Sequence, residues 1–113
     1  MQLPQEGSLL RIFIGEADKH EGKPLYEWIV LKAREHELAG ATVLRGTMGF
    51  GASTRQIHTF RFDTLSEDMP IVVEIVDVQD KLEKFIETIE PHIKAGLVTM
   101  EKAQIKFYKF DSK

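Results

Sequence analysis

Two strand-like segments, Ser8–Gly15 and Pro70–Asp77, carry apolar side chains on both of their faces. Successive side chains of a strand point to opposite faces, so a strand with one face in water alternates apolar and polar residues. The first segment, SLLRIFIG, instead places Leu10, Ile12 and Ile14 on one face and Leu9 and Phe13 on the other. The second, PIVVEIVD, places Ile71, Val73 and Ile75 on one face and Val72 and Val76 on the other. A sheet built from these strands therefore needs a cover on each face.

Two helices are predicted between the strands. The first spans Pro24–Gly40, because the segment is rich in helix formers, begins with a proline that the first turn tolerates and ends at a glycine suited to the C′ position. The second spans Asp80–Gly96, where apolar residues recur at helical spacing. Asp80 is expected to cap this helix, with Glu83 at capping-box spacing, and Pro91 to loosen its last turns.

Shorter strands complete the pattern. We expect a second strand at 41–48, an extended return arm at 57–63, and two final strands at 97–100 and 104–110. The order strand, helix, strand, strand, helix, strand predicts an α+β fold, a ferredoxin-like βαββαβ arrangement with an antiparallel sheet and helices on one face. The length predicts a single domain over residues 1–113.

The second face of this sheet has no predicted cover. A contiguous apolar patch of that size is unusual on a monomer, so we expect copies of the same chain to close it in a ring. The alternative is that the arm at 48–63 folds back over the face.

Composition excludes several classes of function. The net charge of −3 gives no general attraction to nucleic acid, and the strand at 70–77 offers no aromatic side chains on which RNA bases could stack. No apolar stretch is long enough to span a membrane. The lack of cysteine and of a signal-like N-terminus favours a cytoplasmic protein.

Three of the chain's eight glycines fall in the segment LRGTMGFGASTRQIH, residues 44–58. Gly46, Gly49 and Gly51 could let backbone N–H groups approach a phosphate, and Arg45 and Arg55 flank them. The spacing matches neither a P-loop nor a dinucleotide-binding fingerprint. Two interpretations stay open: a bulged turn that begins a mobile loop, or an anion or nucleotide site at a subunit cleft.

No catalytic or metal-binding set is indicated by spacing. The four histidines are scattered, and none forms a helical i, i+4 pair with another ligand candidate. Glu74 lies inside an apolar strand, which predicts a lysine or arginine partner. Because no nucleophile stands at a suggestive distance from a base, the chain is not expected to be an enzyme.

The sequence resembles the uncharacterised PII-like family known as domain of unknown function 190. The resemblance rests on GATVLRGTMGFG, on the strand PIVVEIVD and on the amphipathic helix that follows, and it extends from about Ser8 to Phe110. That family is similar to the nitrogen-regulatory PII proteins and the CutA-type trimers. The resemblance implies a homotrimer whose sheets face one another around a threefold axis.

The resemblance also implies positions for a site. In PII proteins a GFG triplet opens the long T-loop and lines a nucleotide cleft between subunits; here Gly49, Phe50 and Gly51 match it, with 52–63 as the T-loop region. Basic residues of the last strand contact phosphates in PII, and Lys106 matches the first of them. The glycine-rich second phosphate loop of PII is replaced by IKAGLVTM, which keeps only Gly96.

We therefore expect a PII-like regulatory homotrimer that senses a small anionic ligand, with an adenine nucleotide as the candidate, at subunit clefts. The loop at 46–63 would signal to a protein target such as a transporter or an enzyme. The candidate ligand-binding residues are Arg45, Gly46, Gly49, Gly51, Arg55 and Lys106. The alternative is a CutA-like metal-binding or structural trimer, for which His58 and Glu74 are the candidate ligands.

Overall fold

The computed structural model describes residues 3–55, 57–59 and 68–111. Two helices, one 3₁₀ turn and eight strands follow in chain order within these residues: β1 (Glu6–Gly15), β2 (Lys19–His20), β3 (Lys23–Pro24), α1 (Leu25–Glu35), β4 (Thr42–Arg45), β5 (Met48–Gly49), β6 (His58–Thr59), β7 (Pro70–Asp77), α2 (Gln79–Ile89), the 3₁₀ turn (Glu90–His92) and β8 (Leu97–Gln104). No helix among the described residues is both long and apolar enough to cross a membrane.

The main sheet has the strand order β4-β7-β1-β8, and each neighbouring pair is antiparallel. This confirms the α+β, ferredoxin-like arrangement. One face of β1 and β7 packs against α1 and α2 in a single buried cluster. That cluster is Leu10, Ile12, Ile14, Leu25, Ile29, Ala33, Ile71, Val73, Ile75, Leu82, Phe85 and Ile89. The cluster combines every second residue of β1 and β7 with the residues that recur at helical spacing on one face of α1 and of α2.

Helix α1 ends earlier than predicted. His36 is its C-cap, and Glu37 adopts a left-handed conformation with φ 57°. The N–H of Glu37 donates to the carbonyl of Arg34 at 3.0 Å, and that of Leu38 to the carbonyl of Ala33 at 3.1 Å. These two bonds form a Schellman motif. The expectation that Gly40 ends the helix was therefore wrong.

The N-cap expectation for α2 was also wrong. The helix begins at Gln79 with Val78 as its N-cap, so Asp80 is already in the first turn. The carboxylate that accepts a hydrogen bond at the start of α2 is that of Asp77, which is fully buried and accepts the N–H of the N-cap residue Val78 at 2.7 Å. At the other end α2 gives way to the 3₁₀ turn that contains Pro91, as the proline predicted.

The last strand is continuous where two were expected. β8 runs from Leu97 to Gln104, because its charged residues Glu101 and Lys102 lie exposed on an edge strand and need no break in pairing. The chain beyond it is not a strand. The Ile105 N–H donates to the Gln5 carbonyl at 2.6 Å, and the Tyr108 hydroxyl to the Ala39 carbonyl at 2.7 Å.

The sheet face away from the helices, here called the open face, carries an apolar row across all four strands. Register places Leu44, Val72, Phe13 and Leu97 side by side in that order. Strands lie about 4.8 Å apart, so the row is roughly 14 Å wide. Phe13, Leu44 and Leu97 remain 36%, 47% and 54% exposed. Both faces of the sheet are therefore apolar, but within the described residues only the helix side is fully covered, and the apolar row of the open face is left partly exposed.

A charged group lies beside the apolar row. Arg11 donates through Nε to Glu74 at 2.9 Å and through a terminal nitrogen to Glu101 at 2.6 Å. The partner expected for Glu74 is thus an arginine of the neighbouring strand. The hydrogen bonds to Glu74 and Glu101 raise the pKa of Arg11, so its guanidinium stays charged.

Candidate functional site

The glycine-rich loop leaves the sheet directly after β4. The N–H of Gly46 donates to the carbonyl of Pro70 at 2.7 Å, which anchors the first residue of the loop on β7. The chain then forms a small ladder in which β5 pairs with β6, Met48 opposite Thr59 and Gly49 opposite His58. The loop therefore rises from the sheet as an antiparallel arm. Residues 56 and 60–63 of the expected T-loop region lie outside the described residues.

Two of the three glycines are explained by close packing. A Cβ on Gly46 would lie 2.8 Å from Cγ of Pro70, and one on Gly49 would lie 3.3 Å from the same atom. Gly51 has open space where its Cβ would be. Its N–H, however, donates to the Thr54 carbonyl at 2.8 Å and is not available as the ligand donor expected of it. Packing thus explains Gly46 and Gly49, and only Gly51 is left with room for a ligand to approach.

A small cavity, here called the loop pocket, lies where the loop meets the open face. Its volume is about 160 Å³, and its walls are mainly apolar. Phe13, Leu97 and Pro70 form the wall on the sheet side, and residues 49–54 form the wall on the loop side. Pockets that bury a small ligand usually measure about 300–1,000 Å³, so one chain supplies a partial site.

The two candidate arginines, one directly before the loop and one in the connection between β5 and β6, have different surroundings. Arg45, the last residue of β4, places Nε 3.1 Å from each carboxylate oxygen of Glu16. Arg55 is exposed, and its guanidinium carbon lies 4.8 Å from the centroid of the Phe50 ring. A guanidinium over an aromatic face is a favourable cation–π arrangement.

Carboxylates fasten the base of the loop, and the sequence analysis did not single them out. The Ser53 hydroxyl donates to Asp18, with both carboxylate oxygens 2.6 Å away. The Ala17 N–H donates to Asp68 at 3.0 Å, which ties the far arm of the loop to the same turn. The signal in the sequence was the acidic run EAD at 16–18, but a polar connector of this kind is most often only solvated.

Lys106 does not join the other candidate residues within one chain. The loop pocket lies at the Leu97 end of β8, whereas Lys106 is exposed and follows the Gln104 end. Seven strand steps at about 3.3 Å each separate these ends by roughly 23 Å. A ligand in the loop pocket could meet Lys106 only if another copy of the chain supplied it.

Within one chain, the backbone positions of the two candidate metal ligands lie level with different points along β7. The Glu74 carboxylate binds Arg11, and His58 pairs through its backbone with Gly49 beside Pro70. Pro70 is four positions from Glu74 along β7, or about 13 Å. Within residues 3–55, 57–59 and 68–111, no cluster of three or more metal-binding side chains occurs.

Two of the histidines are nevertheless neighbours in the fold. His20 on β2 and His92 in the 3₁₀ turn both pack on Trp28 of α1, with ring centroids 4.3 and 4.8 Å away. Their own centroids are 4.7 Å apart. The sequence showed only scattered histidines, because 72 positions separate these two along the chain.

Proteins with similar sequences are found in Aquifex aeolicus and Methanocaldococcus jannaschii. The chain is 39% identical over 97 residues to a UPF0166 protein of Aquifex aeolicus, which covers 86% of this chain and 90% of that protein. It is 29% identical over 89 residues to a UPF0166 protein of Methanocaldococcus jannaschii, covering 79% of this chain and 81% of the other.

Solved structures with a similar fold are those of CPII, a nitrogen regulatory PII-like protein from Thiomonas intermedia K12. One was determined with ADP, AMP and bicarbonate bound, and it matches with a TM-score of 0.66 at 17% identity over 90% of this chain and 93% of CPII. Another, with ADP and bicarbonate, matches with a TM-score of 0.65 over 90% and 94%. At this identity the likeness establishes a common fold.

The family assignment rests on sequence. The profile of DUF190, described as "Uncharacterized ACR", matches residues 7–105, which contain both helices and the whole main sheet except the first residue of β1. The resemblance seen in GATVLRGTMGFG and PIVVEIVD is thereby confirmed. The chain belongs to the DUF190 family, whose fold is that of the PII-like proteins.

Proposed function

We propose that this chain is a PII-like regulatory protein that works as a homotrimer, without catalysis, in the cytoplasm. Each subunit cleft would bind a small anionic ligand, with an adenine nucleotide as the leading candidate. The loop at 46–63 would change its arrangement on binding and present a surface to a protein target such as a transporter or an enzyme.

The observation that carries the proposal is that the loop pocket is partial and opens beside an uncovered apolar face. Phe13 and Leu97 belong both to the apolar row and to the pocket wall. A second copy placed against the open face would therefore cover the row and enlarge the pocket together. It would also offer the route by which Lys106 of one chain approaches the loop of another.

The chemistry of the pocket favours a ligand with a flat apolar part and an anionic part. The walls are mainly apolar, with Phe13 and Phe50 among them, and the guanidinium of Arg55, which directly follows the pocket-lining Thr54, lies beside the Phe50 ring. A nucleotide combines a stacking base with phosphates that arginine binds well. The ligands of CPII, which include ADP and AMP, are of this kind.

Regulation through the loop follows from how it is held. The described base of the loop is fastened by a few polar contacts, whereas Phe50 and Ile57 leave 54% and 62% of their surfaces exposed. A segment held in this way changes arrangement when a ligand binds one arrangement more tightly. The exposed side chains of Phe50 and Ile57 would then form part of the surface to which the target protein binds.

The test combines light scattering with titration calorimetry on the full chain. We expect a trimer at micromolar concentration and saturable binding of at least one of ATP, ADP or AMP, with bicarbonate titrated separately. Arg55→Ala should weaken binding about tenfold, the value of one charge-assisted contact. Arg34→Ala, an exposed arginine on α1, is the matched control and should leave it unchanged. A monomer, or no binding by any of these compounds, would refute the proposal.

A further inference from the structure

We propose that a second cavity, here called the end pocket, binds a small zwitterion of the α-amino acid class. The end pocket lies where the start of β1 and the end of β8 meet the first turn of α2, and its walls are residues 5–8, 102–104 and Gln79. Its volume of about 470 Å³ is within the range usual for small-ligand sites. It shares no lining residue with the loop pocket, so this inference goes beyond the proposed function.

A buried hydroxyl is the first feature that points to a ligand. Ser8 is only 4% exposed, and the alternation along β1 places it on the helix side with Leu10 and Ile12. Its hydroxyl has no hydrogen-bond partner in the part of the chain that the structure describes. In that same part, every fully enclosed side-chain nitrogen or oxygen has a partner. The Ser8 hydroxyl must therefore reach open volume, and the end pocket, which Ser8 lines, supplies it.

Two opposite charges line the end pocket without pairing with each other. Glu6 stands on β1 and Lys102 on β8, and the register pairs Glu6 with Gln104 and Ser8 with Lys102. Glu6 and Lys102 are therefore diagonal neighbours on one face, about 7–8 Å apart. Both side chains are exposed, and neither charged group has an ion pair or hydrogen bond with any residue that the structure describes. A ligand that carries both charges could bridge them.

The start of α2 makes one side of the end pocket suitable for a carboxylate. Gln79 is the first residue of this 11-residue helix and also part of the pocket wall. The first N–H groups of a helix have no acceptor within it, and the N-cap residue Val78 offers no side-chain cap. The helix N-terminus also carries a partial positive charge. A ligand carboxylate placed there would accept the Ser8 hydroxyl hydrogen and pair with the Lys102 ammonium group.

The remaining charges favour a zwitterion over a multiply charged anion. Glu6 lines the end pocket, and the fully buried Asp77 is the register partner of Ser8 on β7. A phosphate compound would be repelled by both carboxylates, whereas an α-amino acid places its ammonium group against Glu6. Amide side chains both donate and accept hydrogen bonds, so they suit a ligand with a polar side chain. Three of them belong to the wall: Gln5, Gln79 and Gln104.

The experiment is calorimetric titration of the full chain with glycine, L-serine, L-asparagine and L-glutamine. We expect saturable binding of at least one of them with a millimolar or lower dissociation constant. For each compound that binds, the N-acetyl derivative lacks the ammonium charge and the methyl ester lacks the carboxylate charge. Each derivative should bind at least about tenfold more weakly, the value of one charge-assisted contact.

Substitutions locate the binding in the end pocket. Glu6→Gln and Lys102→Gln should each weaken it about tenfold, because each removes one of the two charges that the ligand bridges. Glu87→Gln and Lys84→Gln are the matched controls, since they remove the same charges from exposed positions of α2 outside the pocket wall. Both controls should bind as the natural chain does.

Ser8→Ala separates a ligand contact from a structural role. Because the Ser8 hydroxyl lacks a partner in the described chain, its removal should shift the midpoint of thermal unfolding of the free protein by less than about 3 °C. Binding should nevertheless weaken about three- to tenfold. Unchanged binding, or a large loss of stability, would show that the hydroxyl does not serve a ligand and would overturn the inference.

The other outcomes are equally decisive. Binding that needs both ligand charges, and both Glu6 and Lys102, supports the inference. No binding by any of the four amino acids overturns it. Equal binding of an N-acetyl derivative also overturns it, because the site would then accept any carboxylate. None of these results bears on nucleotide binding at the loop pocket, so the proposed function stands or falls separately.

Discussion

The buried carboxylate of Asp77 joins three segments of the chain. It accepts the N–H of Ala39 at 2.9 Å and that of Val78 at 2.7 Å, and it lies 3.7 Å from Nζ of Lys81. The sequence pointed to Asp80 instead, because a capping-box pattern begins there. The acidic residue that precedes the first turn of α2 depends on where β7 ends. The pairing of β7 with its neighbours in the sheet sets that end at Asp77.

This difference can be tested by paired substitutions. Asp77→Ala should lower the free energy of unfolding by roughly 2–4 kcal/mol, because it leaves two partly buried N–H groups without their acceptor. Asp80→Ala, at an exposed first-turn position, should cost less than about 1 kcal/mol. Urea unfolding at neutral pH measures both. Equal costs would mean that Asp80 does cap the helix.

A second residue-scale prediction concerns the loop glycines. Gly46→Ala should destabilise the fold by roughly 1–3 kcal/mol, because the new methyl group would press on the rigid Pro70 ring. Gly51→Ala should stay within about 0.5 kcal/mol, since no atom lies near its Cβ position. Thermal unfolding measures the stability of both variants. An equal loss of stability in Gly51→Ala would contradict the conclusion that close packing against Pro70 requires glycine at position 46.

At the scale of elements, helix α1 was placed correctly but made too long. Residues 36–40 contain good helix formers, and nothing in their pattern marks an end before Gly40. The helix stops because Glu37 turns left-handed and its carbonyl accepts Nζ of Lys81 at 2.8 Å. Because Lys81 lies on α2, the end of α1 is also stabilised by a contact with the second helix.

Glu37→Gly should therefore stabilise the protein. A left-handed residue other than glycine carries a conformational cost of about 1–2 kcal/mol, part of which glycine removes, and we expect a gain of roughly 0.5–1 kcal/mol. Glu35→Gly, at the last residue of α1, should instead cost up to about 1 kcal/mol. Chemical denaturation measures the change in the free energy of unfolding for each variant. Changes of opposite sign would confirm the Schellman motif at the end of α1, whereas a lower stability of both variants would refute it.

The base of the loop was the least predictable element. The strand before it and the glycines could be identified from local pattern, since turn residues act within a few positions. Its fastenings join residues that are 29 positions apart for Arg45 and Glu16, 35 for Ser53 and Asp18, and 51 for Ala17 and Asp68. No periodicity connects such pairs, and only the antiparallel sheet brings them to one end.

At the scale of the whole molecule, exposed large apolar side chains concentrate on one side. Apart from Leu31 on α1, those in the described residues lie on the open face, in the loop or in the segment after β8. Phe107 and Phe110, after β8, are 75% and 54% exposed. This distribution is what a surface between subunits would show before assembly.

Charge on the open face should break the proposed trimer. Phe13→Asp would place a carboxylate in the apolar row, and desolvating it would weaken association at least about a hundredfold. Leu31→Asp changes an apolar side chain of similar exposure on the helix side, 42% exposed, and should leave the assembly intact. Light scattering over a range of protein concentrations measures the molar mass of the assembly for both variants. Dissociation by the Leu31 variant, or a stable trimer of the Phe13 variant, would show that the open face is not the interface.

The sequence by itself determined the order of elements, the apolar character of both sheet faces and the family, because these depend on side-chain period and on motifs within a few residues of each other. Tertiary structure decided which face is covered, which glycines are needed for packing, and which carboxylates hold Arg45 and Ser53. It also separated Lys106 from the loop by the length of β8. Contacts of this kind depend on strand register and crossing distance, which a linear pattern does not encode.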